Sequence, residues 1–168
     1  MFSVLNFDHR LVLGAYEYLT KRRTGKNIDF SRLFIYFNAR VKDQKTQQVK
    51  DVGCTMTSAI EALEEMGTCL ESIWPYDIVR VNVRPDDSSY DGAKLHRITE
   101  ALRVNVNLEE MKSCLAQGFP FVFGLKLFST FDQARQTGVV PSPNQFDLGR
   151  ATHGRLEKPM FLISNPRK

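Results

Sequence analysis

Few residues in the chain have the type and setting for nucleophilic chemistry. Cys54 stands in Asp51-Val52-Gly53-Cys54-Thr55, just ahead of a segment with helical periodicity. A thiol at a helix N-terminus meets unsatisfied N–H groups and the positive end of the helix dipole, which favour the thiolate. Paired with an imidazole base and an oriented amide or carboxylate, such a thiolate attacks carbonyl carbon. The candidate bases are His9, His96 and His153. On spacing alone Cys54 reads first as a small residue where a helix meets the core, with the nucleophile as the second reading. His96, in Lys94-Leu95-His96-Arg97, reads as the end of a surface helix.

Cys69 and Cys114 complete an odd set of three cysteines without metal-ligand spacing. They are expected as reduced buried thiols, the alternative being one disulfide and one thiol. Glycine-rich phosphate loops, His/Cys/Asp clusters and paired carboxylates on one helical face do not occur in the sequence. Neither a metal nor a cofactor is therefore expected.

The elements that must carry these residues begin as helices. His9–Arg22 places Leu11, Ala15, Tyr18 and Leu19 on one stripe, with Asp8 as the cap. A second helix is predicted over Phe30–Val41, with Asp29 as its cap and Leu33, Phe34, Phe37 and Val41 as its apolar face. Lys42–Asp51 reads as a loop. A third helix over Thr55–Met66 stops at Gly67. Ile78–Val83 alternates like a short strand, and a short helix is expected near Tyr90–Leu95. A strand near Ile98–Val106 precedes a helix capped by Asn107 and ending at Gly118. Strands are then predicted over Phe119–Leu127, Gly138–Val140 and Met160–Ser164. Helices first and strands last make an α+β layout.

The bulk properties agree with one self-sufficient domain. The chain has 168 residues, 42% of them hydrophobic and 25% charged, which excludes disorder and disulfide-dense scaffolds. A net charge of +4 permits an acidic partner without demanding one. Lys21-Arg22-Arg23 with Lys26, and Pro166-Arg167-Lys168, are basic clusters lacking the interleaved aromatics of a nucleic-acid platform. They read as solvated faces. No apolar run reaches the roughly 18 residues of a membrane span, and Met1–Asn6 lacks a leader's pattern, so an intracellular protein is expected.

Four stretches carry a resemblance: GAYEYL at Gly14–Leu19, FSRLFIYFNAR at Phe30–Arg40, GCTMTSAIEALEEMGTCLESIWPYD at Gly53–Asp77, and LEEMKSCLAQGFPFVFGLKLFSTF at Leu108–Phe131. TGVVPSP follows at Thr137–Pro143. In this order they resemble the papain family of cysteine peptidases, especially its compact intracellular and bacterial type. The resemblance implies a two-lobe α+β fold, a helical lobe over 1–88 and a shortened antiparallel β lobe over 89–168, and an ancestral cysteine endopeptidase activity.

The resemblance also assigns positions. The family's nucleophile opens the long central helix, here His9–Arg22, and counting back seven residues from Gly14 gives Phe7, with Asp8 the neighbour if the register slips. Neither is a thiol. The glutamine that would help form the oxyanion hole would fall at or before Met1. Cys54 aligns with the family's next helix on the cleft side, so Gly53, Cys54 and Trp74 are candidates to line the cleft. His153 and Asn165 stand at the positions of the catalytic imidazole and its orienting amide. The interval between them is shorter than the family pattern, and Pro166-Arg167-Lys168 replaces the Ser-Trp-Gly that shields the pair.

Loss of the nucleophile removes the covalent path. The resemblance therefore leads to a catalytically inactive relative acting as a binding or structural subunit, with a protein or peptide partner in a larger assembly. The alternative is an active peptidase in which Cys54 or another thiol has taken over. Nucleic acid has only the basic clusters in its favour, and the oligomeric state is left open.

Overall fold

The computed structural model describes residues 8–123, 127–128, 133–142, 149–150 and 160–164. Three helices come first: α1 (Asp8–Thr24), α2 (Arg32–Gln44) and α3 (Met56–Glu65). In α1 the inward stripe is Val12, Ala15, Tyr16 and Leu19, with Leu13 beside it. Leu11 and Tyr18, expected on that stripe, lie on the exposed flank instead. Ala15 and Leu19 belong to both stripes, and the buried face is rotated from Leu11 and Tyr18 toward Val12 and Tyr16, a rotation that periodicity alone cannot fix.

α2 is the interior helix. Every residue from Leu33 to Arg40 is buried, so it has no solvent face over two turns. Its cap is Ser31 and not Asp29: the Ser31 hydroxyl accepts a hydrogen bond from Phe34 N (3.2 Å) and donates one to the Trp74 carbonyl (2.6 Å). Phe30, expected inside the helix, forms an antiparallel bridge with Leu70. At the other end α2 runs to Gln44 before Lys45 adopts a left-handed conformation (φ 52°).

α3 starts where expected. The Thr55 hydroxyl accepts from Ser58 N (3.1 Å), and Asp43 accepts from Thr55 N (2.6 Å) and the Ser58 hydroxyl (2.6 Å), tying α3 to the end of α2. Gly67 (φ 83°) closes α3, donating to the Ala62 carbonyl at 3.2 Å.

Ile78–Val83 is not a strand. Ile78–Arg80 forms a 3-10 turn in which the Asp77 carboxylate accepts from Val79 N (3.0 Å), and Ile78, Val79 and Val83 are exposed. Alternation makes a strand only where an edge offers backbone partners, and this segment has none among the described residues. α4 (Asp87–Ala93) is capped by Asp86, begins earlier than expected, and includes residue 88.

The strands begin at β1 (Glu100–Val104), followed by α5 (Leu108–Ala116), whose Asn107 cap accepts from Glu109 N and Glu110 N. Phe119–Leu127 does not run as one strand: β2 is Phe121–Val122, and β3 (Leu127–Phe128) pairs in another sheet. Gly138–Val140 is no strand either, because α6 (Ala134–Thr137) ends there and Gly138 (φ 71°) is its cap. β4 (Gly149–Arg150) pairs antiparallel with β3. β5 (Met160–Ser164) is the middle strand of the order β1-β5-β2, with Glu100 opposite Ser164 and Val122 opposite Phe161. α1 packs on β2 and β5, and α3 packs on β1.

Gly67 joins two of these parts. A Cβ there would lie 2.0 Å from the Ala93 carbonyl oxygen and 2.8 Å from that of His96, so backbone would have to move. Gly67→Ala, strained at positive φ as well, is expected to lower stability by about 3 kcal/mol in urea unfolding.

Candidate functional site

The site that the sequence points to is built on the start of α1. Its register segment, Gly14–Leu19, is anchored to the start of α2. The Tyr16 ring packs on Phe30 with centroids 4.9 Å apart. The Glu17 carboxylate accepts from Phe30 N (3.1 Å) and pairs with Arg32 (3.2 Å). One and a half turns earlier, the Arg10 guanidinium lies 5.6 Å over the Tyr76 ring, which brings Trp74-Pro75-Tyr76 beside the first turn of α1. Trp74 itself is a buried member of the main core, with the Arg80 guanidinium 5.0 Å over its ring. Asp8 opens α1, and Phe7 lies outside the described residues.

Gly53 and Cys54 are held by the interior helix. The Tyr36 hydroxyl donates to the Asp51 carboxylate and accepts from Gly53 N (3.1 Å), fixing Gly53 at φ 91°. Burial, and then the Asp51 hydrogen bond, push the Tyr36 phenol well above its ordinary value of 10.0. Below it lies Arg40, whose guanidinium stacks on the Tyr36 ring at 3.9 Å. Arg40 donates to the Tyr36 carbonyl (3.1 Å), Asn82 Oδ1 (2.7 Å) and the Val81 carbonyl. Burial lowers its pKa, against the opposing pull of Tyr36, Asp51 and Cys54. Cys54 is buried within the main core. No motif announces this Tyr36–Arg40–Asp51 arrangement; the one sequence signal is an arginine inside the apolar run LFIYFNAR.

All three cysteines carry thiols. Burial pushes Cys69 up to about 11, partly offset by the Ser31 and Ser89 hydroxyls. That is the direction opposite to an activated nucleophile. Cys114 is half-buried in a small cluster with Val104, Met111, Phe119 and Phe121.

Of the histidines, His9 lies in the first turn of α1, and His96 lies beyond α4. His96 is half-buried and not a bare surface residue, because its ring packs on Phe30 at 5.0 Å and its carbonyl accepts from Thr68 N (3.0 Å). Burial lowers its pKa below the ordinary 6.5. His153 and Asn165 lie outside the described residues; His153 falls between β4 and β5, and Asn165 follows Ser164 of β5. Among the described residues no group of three or more His, Cys, Asp or Glu side chains could hold a metal ion.

A helical layer whose longest member, α1, packs against an antiparallel sheet is an arrangement with known counterparts. No family model matches the sequence. Xylellain, a cysteine protease from Xylella fastidiosa, superposes with a TM-score of 0.75, covering 95% of this chain and 79% of xylellain at 21% identity. The fold is papain-like. A Carica candamarcensis cysteine protease gives a TM-score of 0.56, covering 95% of this chain and 88% of its own at 13% identity. In sequence, an uncharacterized peptidase C1-like protein of Acanthamoeba polyphaga mimivirus is 28% identical over 144 residues. The match covers 79% of this chain and 46% of that protein, so the papain-like chain spans about half the length of its curated relative. The fold likeness is to papain-like cysteine proteases, and the sequence likeness is to a protein described as peptidase C1-like.

Two measurements follow from the geometry. In alkylation of the native protein with iodoacetamide, Cys114 is expected to react first, and Cys69 only after unfolding. Mass spectrometry of the modified peptides reads the order. For His96, the folded-state pKa lies below the unfolded value, so its contribution to stability is complete above about pH 6.5. It is lost as pH falls, because the unfolded chain takes up the proton first. The urea midpoint is therefore expected to drop between about pH 7.5 and about pH 5.5, and to drop less in His96→Phe.

Proposed function

We propose that this papain-like domain has lost its thiol nucleophile and works as a binding or structural subunit, intracellular and within a larger assembly, with a protein or peptide partner. The observation that carries the reading is the register of Gly14–Leu19, which puts Phe7, or Asp8 with a slip of one residue, at the nucleophile position. Neither side chain can form an acyl-thioenzyme. The character of the remaining cysteines supports the same reading. Cys69 is a poor thiolate, and Cys54 belongs to the core beside Tyr36 and Arg40.

What a papain-like fold retains without its nucleophile is shape. On the two-lobe reading of the fold a cleft separates the lobes, and clefts between lobes are where ligands settle. The proposal places a peptide segment there, with Gly53, Cys54 and Trp74 on or behind the cleft wall and His153 and Asn165 as remnants of the old catalytic pair. No helix among the described residues is long and apolar enough to cross a membrane.

The test is incubation with fluorogenic peptide libraries and with a thiol-reactive peptide epoxide. Neither turnover nor covalent labelling in the cleft is expected. Turnover abolished by Cys54→Ala or His153→Ala would overturn the proposal in favour of a relocated thiol.

A further inference from the structure

At the basic end of α1, Arg22 makes a contact far along the chain. Lys21, Arg22 and Arg23 lie in the last turn, with Lys26 two residues beyond it, where the helix dipole favours positive charge. Arg22 nevertheless reaches across to another helix. Its Nη1 donates to the Gln117 carbonyl (3.3 Å) and to the Gly118 carbonyl. Gln117 is the C-cap of α5 and Gly118 the residue after it, where carbonyls have run out of intrahelical donors. One guanidinium thus sits between the negative ends of two helices.

Gly118 is shaped to receive it. The residue adopts φ 80°, and a Cβ there would lie 1.7 Å from Arg22 Nη1, inside the guanidinium. Only three residues then separate Gly118 from Val122, which is buried in the main core and pairs with Phe161 of β5. The path from Arg22 through Gly118 to β2 and β5 therefore has no slack. β5 ends at Ser164, one residue before Asn165, while α1 opens beside the old nucleophile position. Arg22 lies fourteen residues along α1 from Asp8, a lever of about 21 Å.

We infer that Arg22 is a positioning residue. It locks the α5–β2 turn to the C-terminal end of α1 and so sets how the sheet stands against the helical layer. On the reading that a peptide is held between the lobes, which this inference takes from the preceding section, Arg22 sets the width of that cleft. Lys21, without an ion pair among the described residues, has no such role.

Backbone hydrogen exchange tests this without any ligand. In Arg22→Ala, and independently in Gly118→Ala, amides of 119–122 and 160–164 are expected to exchange about tenfold faster, while those of α2 and α3 keep their native rates. Arg22→Lys, with a single ammonium in place of the fork, should restore only part of the protection, and Lys21→Ala should match the native protein. Unchanged exchange in both Arg22→Ala and Gly118→Ala would show a surface cation and overturn the inference. So would uniform acceleration across all elements, which marks a general loss of stability. Failure of the peptide-cleft reading leaves these exchange rates as they are, so the two proposals fail separately.

Discussion

A single buried cation organises the helical layer. Taking a guanidinium out of water costs several kcal/mol unless its N–H groups find acceptors. Arg40 is fully buried, and its position dictates what surrounds it. The Val81 carbonyl and Asn82 side chain must approach the interior of α2, the Tyr36 ring must lie flat beneath the guanidinium, and the chain from Asp77 to Asn82 must curl toward it. Tyr36, held in this way, presents its hydroxyl to Asp51 and Gly53 and so fixes the approach to α3. One interior charge thus bears on two loops, the second of which is also tied down by Asp43 and Gln44.

The Arg40 contact with the Val81 carbonyl is one case of a distant partner overriding a local pattern. The helices α1, α2, α3 and α5 show in the sequence because period, caps and closing glycines act locally: Thr55, Asn107 and Gly67 do what their residue types imply. Ile78–Val83 misleads because its alternation is real while its backbone is committed elsewhere, Val81 to Arg40 and Val79 to Asp77. The cap of α2 shifts from Asp29 to Ser31 because Ser31 also receives the Trp74 segment, a long-range contact invisible to local reading. Phe119–Leu127 looks like one apolar run, yet pairing splits it between two sheets. Local signals survive; those that depend on distant partners do not.

For the fold, a resemblance in segment order reaches further than spacing, which leaves Cys54 ambiguous. Spacing finds a thiol before a helix, a true description of Cys54 that says nothing of the helix's place in the fold. Order along the chain implies the papain-like fold that the structure adopts, and in it α1 packs on β2 and β5. The residues around Cys54 were not foreseen, because Tyr36, Arg40 and Asp51 belong to three different local contexts and meet only through burial. His96 likewise gains its character from Phe30, a residue far away in sequence.

The placement of β5 between β1 and β2 has a consequence for how the chain acquires its shape. Glu100 finds its partner only at Ser164, and β2 has no partner in its sheet until β5 arrives. Pairings of such long sequence separation pay a large loop-closure entropy and form late. The helical layer, built from neighbouring segments with local caps, can assemble while the chain is still emerging from the ribosome. The sheet must wait, and until β5 inserts, β1 and β2 present open edges that invite pairing with other chains. Synthesis therefore passes through a half-folded interval, with helices complete and strands exposed, in which chaperone engagement is most needed.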